Sequence, residues 1–176
     1  MIFPVIVVAL LIYIFLNRNK IFFEMDKRTI ENLDKVNPEF RNAVILFLEE
    51  IEEKNLPSLT LTDGLRTPAQ QQTLYNQGRT TAGKIVTNAK PWESLHQYGM
   101  AGDFYQTEDL KKGKLTAPTK AHAEIGKKYG LFWGGNFAKF KDLPHFELTK
   151  GLGSRGFIAK YKPLVLSGKL PKDSVS

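Results

Sequence analysis

The chain has 176 residues, 42% of them hydrophobic, so it is long enough to bury a core and form one domain with at most a short appendage. It has no cysteine, which excludes disulfide bonds and thiolate metal sites and leaves histidine, aspartate and glutamate to hold any metal ion. The formal net charge of +7 favours an anionic partner such as nucleic acid, anionic lipid or an anionic cell wall. Because the sequence has no nucleic-acid-binding motif and no basic face interleaved with aromatic residues, we expect no nucleic-acid partner.

An uncharged apolar segment, residues 2–16, opens the chain. It is short for a hydrocarbon core of about 30 Å, but residues 21–23 extend it if Arg18 and Lys20 reach out to the lipid headgroups. We therefore predict one apolar helix over residues 1–23, kept as a membrane anchor. The alternatives are a buried core element and a cleaved signal peptide, although the segment has neither the basic start nor the cleavage site of a signal peptide.

Helical patterns alternate with short strand patterns in residues 24–150. Asn37 and Thr67 each precede a proline, so they are suited to cap helices that begin at that proline. Apolar residues recur with helical spacing after Asn37, which predicts a helix with one buried face. Further helices are predicted at residues 26–35 and 121–129, and strands at residues 59–62, 99–105 and 145–148.

The last segment, residues 151–176, is strongly basic. Five lysines and arginines face a single acidic residue, Asp173. We predict a solvated basic tail with one short packed segment near residues 157–166. A tail that contacts the cell wall or a lipid surface is the alternative.

Two histidines and a carboxylate form a candidate metal site. His96 is followed by Asp103 with small residues between them, and His145 comes later in the chain. Two imidazoles, one carboxylate and a water molecule are a common catalytic zinc shell, so we predict one Zn²⁺ bound by these three side chains. A tight turn at Gly99 lets Asp103, on the strand that follows, point back toward His96. The remaining histidine, His122, is assigned no role.

Asp142 is the candidate acid/base. A hydrolytic zinc site needs a group that takes a proton from water and delivers it to the leaving amine. Asp142 lies shortly before His145, and Pro144 favours an extended, stiff segment between them. A surface loop aspartate is the alternative interpretation.

Three further polar residues are candidates for contacts with a substrate. Arg66, at the end of a predicted strand, could grip a substrate carboxylate with two hydrogen bonds or stabilise an oxyanion, so it is a candidate for both catalysis and binding. Gln71 could add a second polar contact, and Ser94 could orient a ligand of the site. The alternatives are a surface arginine and a loop-capping serine.

These residues also carry a resemblance to a known family. The pattern Ser94-x-His96-x-x-Gly99-x-Ala101-x-Asp103, followed by Asp142-x-Pro144-His145, resembles the LAS-type zinc peptidases. That family includes D-alanyl-D-alanine carboxypeptidases and the L-alanyl-D-glutamate endopeptidases of phage endolysins. The likeness covers roughly residues 26–148. The endolysin branch is favoured by further segments: Gly64-Leu65-Arg66-Thr67, Gln71, residues 74–80, residues 86–89 and Trp133-Gly134-Gly135.

The resemblance implies a small α+β domain of the hedgehog/D,D-peptidase type, in which helices pack on an antiparallel sheet. It also implies roles for individual residues: zinc binding by His96, Asp103 and His145, acid/base catalysis by Asp142, and contacts with the substrate or transition state from Arg66 and Gln71. Two departures stand outside the metal set. Leu65 replaces the usual aromatic residue, and Asn136-Phe137 replaces a common acidic residue and tryptophan, so the resemblance says less about substrate preference.

The function expected from the resemblance is hydrolysis of the L-alanyl-D-glutamate bond in the peptidoglycan stem peptide, for cell-wall lysis or remodelling. A D,D-carboxypeptidase with the same chemistry is one alternative. An inactive peptidoglycan-binding module is another, and the intact metal set with Asp142 argues against it.

We expect a monomer that is membrane-associated through residues 1–23, with the peptidase domain on the cell-wall side, in the periplasm or cell envelope. The charges conflict with this placement. Arg18, Lys20, Lys27 and Arg28 all follow the apolar segment, and the positive-inside rule then favours a cytoplasmic domain.

Overall fold

The computed structural model describes residues 25–167. The predicted anchor over residues 1–23 lies outside this range, and no helix within the range is long and apolar enough to cross a membrane. In chain order the helices and strands are α1 (Lys27–Leu33), α2 (Pro38–Glu53), β1 (Leu59–Asp63), α3 (Pro68–Asn76), β2 (Ala101–Gln106), α4 (Thr107–Lys111), α5 (Lys120–Lys128), β3 (Leu131–Trp133), β4 (His145–Leu148) and α6 (Gly153–Leu166).

The four strands form one antiparallel sheet in the order β1-β2-β4-β3. The predicted α+β class, with helices packed on a small antiparallel sheet, is confirmed. The register of the central pair sets Asp103 directly opposite His145. Two residues that are far apart in sequence are therefore held side by side by main-chain hydrogen bonds.

The helix predicted after Asn37 forms as expected. The Asn37 side chain accepts a hydrogen bond from the Glu39 main-chain N–H, and Pro38 occupies the first turn, where its missing N–H costs nothing. Phe47 lies on the buried face of α2 and its ring contacts the rings of Phe104 and Phe146, with centroids 6.0 and 5.0 Å away. These two phenylalanines belong to β2 and β4, so the core fixes the strands that carry the metal-site residues.

Helix α3 also begins as predicted. Thr67 and Gln70 form a reciprocal capping box, in which each side chain bonds the main chain of the other residue. The cap matters for the site because Arg66 immediately precedes it. The main-chain N–H of Arg66 donates to the carbonyl of His96 at 3.1 Å, which ties the start of α3 to the segment that carries His96.

The strand predicted at residues 99–105 begins two residues later than expected. A short 3₁₀ turn, Leu95–Tyr98, comes first, and Gly99 closes it in the left-handed conformation with φ +64°. A Cβ at Gly99 would lie 2.6 Å from the main-chain nitrogen of Asn37, so only glycine fits there. The short edge strand β3 was not predicted, because three residues carry too little periodic signal.

The chain after residue 150 is more than the predicted basic tail with a short packed segment. Helix α6 buries Phe157, Tyr161 and Val165, which recur every four residues along one face. The ring of Phe157 packs edge-on against Tyr98, with centroids 5.7 Å apart. The core therefore extends past the predicted boundary at residue 150, to Val165. The buried residues lie in the packed segment predicted near residues 157–166, and the basic residues of α6 lie on its outer face.

Candidate active site

Three of the predicted residues meet at the centre of the sheet. His96 comes from the 3₁₀ turn, Asp103 from the middle of β2, and His145 from the start of β4. The Nε2 atom of His96 lies 3.2 Å from Nδ1 of His145, and Oδ1 of Asp103 lies 3.4 Å and 3.2 Å from those two nitrogens. One donor atom from each side chain thus faces a common point, and the three atoms lie within 4.8 Å of one another. This arrangement could hold a single metal ion.

The outer nitrogen of each imidazole is held by another group. Nδ1 of His96 lies 2.7 Å from the carbonyl oxygen of Gly64. A carbonyl only accepts hydrogen bonds, so Nδ1 carries the proton and Nε2 presents its lone pair to the site. In His145 the roles are reversed: Nδ1 faces the site and Nε2 lies 3.2 Å from Oε2 of Glu147. Sequence analysis missed Glu147 as a site residue, although its position two residues after His145 on a strand put both side chains on one face.

The carboxylates make the site strongly attractive to positive charge. Burial opposes ionisation of Asp103, but the neighbouring His96 and His145 imidazoles hold the pKa of its carboxyl well below the usual range. Burial also disfavours a charged His145, yet hydrogen bonds to Asp103 and Glu147 raise its pKa to about 10. Two carboxylates thus draw a proton onto His145. A divalent cation at the same point supplies that positive charge instead, and it needs the imidazole neutral.

Asp142 borders the metal-site cluster without joining it. It lines a cavity of about 330 Å³ together with Arg66 and the three candidate ligands. Burial, and secondly the negative charge of Asp103, raise the pKa of Asp142. A carboxyl group whose pKa is raised toward neutrality is suited to take up and release a proton.

The Asp142 loop is fixed in place by the turn after β3. The main-chain N–H of Asp142 donates to the carbonyl of Gly134 at 3.1 Å, and the N–H of His145 donates to the carbonyl of Asp142 at 3.2 Å. A Cβ on Gly134 would lie 2.4 Å from the Asp142 carbonyl oxygen, so glycine is needed for this approach. The predicted glycine turn therefore holds the candidate acid/base at a set distance from the metal ligand His145.

Arg66 reaches the site, with its side chain only 11% exposed. Its guanidinium pairs with Asp63, and one nitrogen lies 3.5 Å from Oδ2 of Asp103, the oxygen that faces away from the imidazoles. The surface-arginine alternative is therefore wrong. The guanidinium lines the same cavity as Asp142, where it could contact a bound substrate.

Gln71 has a different place from the predicted substrate contact. Its side chain is fully buried, and its amide oxygen accepts a hydrogen bond from Arg66 at 3.0 Å. Its amide nitrogen donates to the carbonyl of Ala89 at 2.8 Å. Both ends of the amide are thus occupied, so Gln71 positions Arg66 instead of meeting substrate. The sequence could not reveal this, because the direction of the amide depends on how the 79–90 loop folds back on α3.

Ser94 lies in the wall of a larger cavity of about 760 Å³ that adjoins the metal site. It begins the 3₁₀ turn, but its hydroxyl makes no capping hydrogen bond. The two cavities share Val86, Thr87, Asp142 and His145, so together they form one continuous groove across the metal site. Ser94 faces this groove, which agrees with a substrate contact better than with a loop cap.

His122, which was assigned no role, lies outside the metal-site cluster. It is completely buried at the start of α5, where its Nδ1 accepts from the Thr119 main-chain N–H at 3.0 Å. Its Nε2 lies 2.9 Å from the carbonyl oxygen of Pro57. Both ring nitrogens therefore bond to the main chain, and the histidine joins the helix to the segment before β1.

Fold and site together give one arrangement: an antiparallel sheet presents a cluster of two histidines and one aspartate to a groove that also holds the carboxyl group of Asp142. Residues 87–148, which contain all four of these side chains, match the family described as D-alanyl-D-alanine carboxypeptidase. This match agrees with the resemblance of the motifs to the LAS-type zinc peptidases.

Individual relatives point in the same direction. The chain is 37% identical over 102 residues to the peptidoglycan L-alanyl-D-glutamate endopeptidase CwlK of Bacillus subtilis (strain 168), a match over 51% of this chain and 60% of the relative. It is 27% identical over 138 residues to the L-alanyl-D-glutamate peptidase of Listeria phage A118, over 74% of this chain and 44% of the relative. The chain thus spans 60% and 44% of the length of these two proteins.

Among solved structures, the LdcB LD-carboxypeptidase shares the fold, with a TM-score of 0.51 at 16% identity. The match covers 78% of this chain and 66% of that chain.

Proposed function

We propose that this protein is a zinc-dependent peptidoglycan peptidase that hydrolyses the L-alanyl-D-glutamate bond of the stem peptide. The observation that carries the proposal is the convergence of His96, Asp103 and His145 on one point, with Asp142 in the same cavity. The bond that is cleaved is proposed from the names of the two relatives, and the hydrolytic mechanism is proposed from the geometry of the site.

One zinc ion per chain fits the residues present. The cluster offers two imidazoles and a carboxylate, the outer nitrogen of each imidazole is held by another group, and a cysteine-free chain has no competing thiolate site. When bound, zinc lowers the pKa of a coordinated water toward about 7 and polarises the carbonyl of the scissile peptide. His96, Asp103 and His145 would hold it.

Asp142 performs the proton transfers in the proposed reaction. Its carboxylate takes one proton from the attacking water as the water oxygen bonds to the alanine carbonyl carbon. The protonated carboxyl then gives that proton to the glutamate nitrogen as the C–N bond breaks, so the proton count balances. The raised pKa of Asp142 serves both steps, because the same group must hold and release the proton near neutral pH.

Arg66 is placed to stabilise the negative charge that develops on the carbonyl oxygen, or to hold a carboxylate of the stem peptide. Its guanidinium is already held by Asp63 and Gln71, so little side-chain entropy is lost when a substrate binds. Lys139 and Arg155 are exposed on the wall of the larger cavity and add positive charge to the groove. An anionic peptide suits this lining.

We also propose that residues 1–23 anchor the protein in a membrane and that the domain acts on the cell-wall side as a monomer. The apolar run and the peptidoglycan substrate support this placement. The basic residues that follow the run oppose it, so the orientation needs its own measurement, such as protease accessibility of the domain in intact cells and in spheroplasts.

The test of the function is a digest of purified peptidoglycan with the full chain in detergent and zinc. A chelator-treated sample and the Asp142→Ala variant run beside it, and mass spectrometry reads the products. New amino-terminal glutamate, absent from both controls, is the expected result. Free alanine from stem-peptide ends would instead assign a D,D-carboxypeptidase, and no release by a zinc-loaded protein would favour a binding module.

A further inference from the structure

A chain of hydrogen bonds links the last helix to the metal site. Oγ of Ser154, in the first turn of α6, donates to Oε1 of Glu147 at 2.6 Å. The other oxygen of the same carboxylate, Oε2, lies 3.2 Å from Nε2 of His145. Glu147 is 4% exposed, so this carboxylate is enclosed between the helix and the imidazole. The connection runs from Ser154 through Glu147 to a candidate metal ligand.

The geometry fixes which nitrogen of His145 faces the site. A carboxylate beside Nε2 favours a proton on that nitrogen, which leaves the lone pair on Nδ1, and Nδ1 is the atom that lies 3.2 Å from Asp103. The Ser154 hydroxyl holds the far oxygen of Glu147, so the near oxygen stays turned toward the imidazole. Without that hydroxyl the Glu147 side chain could rotate and release the ring.

Helix α6 gives this contact a firm support. Phe157, Tyr161 and Val165 are buried in the core, and Phe157 stacks on Tyr161 with ring centroids 4.5 Å apart. Ser154 lies one turn before Phe157, so its hydroxyl is held by packing as well as by the helix itself. A buried carboxylate is a poor source of stability compared with an apolar side chain of the same volume. An orienting role gives Glu147 a physical reason to occupy this position.

We propose that Glu147 and Ser154 are positioning residues of the metal site, and that they make zinc affinity depend on helix α6. Loss of such outer contacts weakens metal binding by about 10- to 100-fold in other sites. The proposal rests on His145 as a metal ligand and not on any particular substrate. Its test therefore measures metal binding, which can succeed even if the wall digest releases nothing.

The experiment is a zinc competition titration of the full chain against a chromophoric chelator. We expect Glu147→Ala to bind zinc about 10- to 100-fold more weakly and Ser154→Ala about tenfold more weakly than the unaltered protein. Ser154→Thr keeps the hydroxyl and should restore the affinity. Glu147→Gln keeps the shape and an acceptor for Nε2–H, so it should fold normally and lose less affinity than the alanine variant.

The matched control is Ser167→Ala, at the other end of the same helix, where the hydroxyl donates to the carbonyl of Leu164. It removes the same atoms but should leave zinc affinity unchanged. A second readout is the His145 Nε2–H proton in the zinc-loaded protein, observed by NMR, which should exchange faster with water in Ser154→Ala. Equal zinc affinity in Ser154→Ala and Ser167→Ala would overturn the proposal, and so would a loss that threonine does not rescue.

Discussion

Two buried histidines show what separates a chemical site from a structural one in this protein. His122 and His145 are both buried, and in both the two ring nitrogens have partners. The partners of His122 are uncharged, two main-chain groups and the Thr119 hydroxyl, and burial lowers its pKa. The partners of His145 are carboxylates, which raise its pKa to about 10 even though burial opposes the charge. The chemistry of the partners, and not burial, marks His145 as the residue that faces a cation.

The largest expected effect comes from replacing His145, the histidine of the candidate metal site. His145→Ala removes one of three metal ligands, so the variant should lose zinc at ordinary concentrations and its peptidase activity should fall to background. Because β4 keeps its main-chain bonds to β2, the fold should remain. Elemental analysis of the purified variant checks the metal content, and circular dichroism checks the fold. A full equivalent of zinc in this variant would show that His145 is not a ligand.

The next effect separates chemistry from metal binding within the site. Asp142→Ala should retain zinc, because its carboxylate lies outside the cluster of ligand atoms. Its turnover should fall by about 10²- to 10⁴-fold, since the variant has no group that takes the water proton and supplies the leaving-group proton. The measurement is the rate of new amino termini released from peptidoglycan, with zinc content determined on the same sample. Asp142→Asn is the matched control for shape, and full activity in either variant would remove Asp142 from the mechanism.

A smaller effect, on stability alone, is expected when His122, the structural histidine, is replaced. His122→Ala leaves the Pro57 carbonyl and the Thr119 N–H without their buried partner and opens a cavity, which should cost about 2–4 kcal/mol of unfolding free energy. Zinc stoichiometry of the folded variant should stay at the value of the unaltered protein. Urea unfolding at pH 7.5 gives the stability, and elemental analysis gives the zinc. A loss of zinc in folded His122→Ala would show that the two regions are coupled.

Short local patterns were enough to predict the three residues that lie together at the candidate metal site. His96, Asp103 and His145 occur at family spacing, and the register of β2 against β4 brings the last two together. The caps at Asn37 and Thr67 are equally local, since each depends on a few neighbouring residues. Such features can be predicted from the sequence because they do not depend on how distant segments pack.

The roles that were not predicted depend on distant packing. Gln71 points inward because the loop that contains Ala89 folds over α3 and accepts a hydrogen bond from its amide. The sequence of α3 alone does not indicate this contact. The role proposed for Glu147 can be recognised only when α6 is packed in place and Ser154 donates to its carboxylate. A packed segment near residues 157–166 was predicted, but the contact between Ser154 and Glu147 joins two segments that carry no local signal for each other.

The smallest expected effect is the contribution of His122 to the pH dependence of the unfolding free energy. The folded pKa of His122 lies below 6.5, because burial disfavours the imidazolium form. Above that pH both the folded and the unfolded chain hold a neutral imidazole, so His122 adds no pH dependence. As the pH falls below 6.5 the unfolded chain takes up the proton first, and stability is lost until the folded pKa is passed.

The unfolding free energy, measured in urea from pH 7.5 down to 5, should therefore fall more steeply for the unaltered protein than for His122→Asn. Zinc is kept in excess in both series, and the difference between the two proteins cancels the titration of other groups. Parallel curves would mean that the His122 imidazole titrates alike in the folded and unfolded chains.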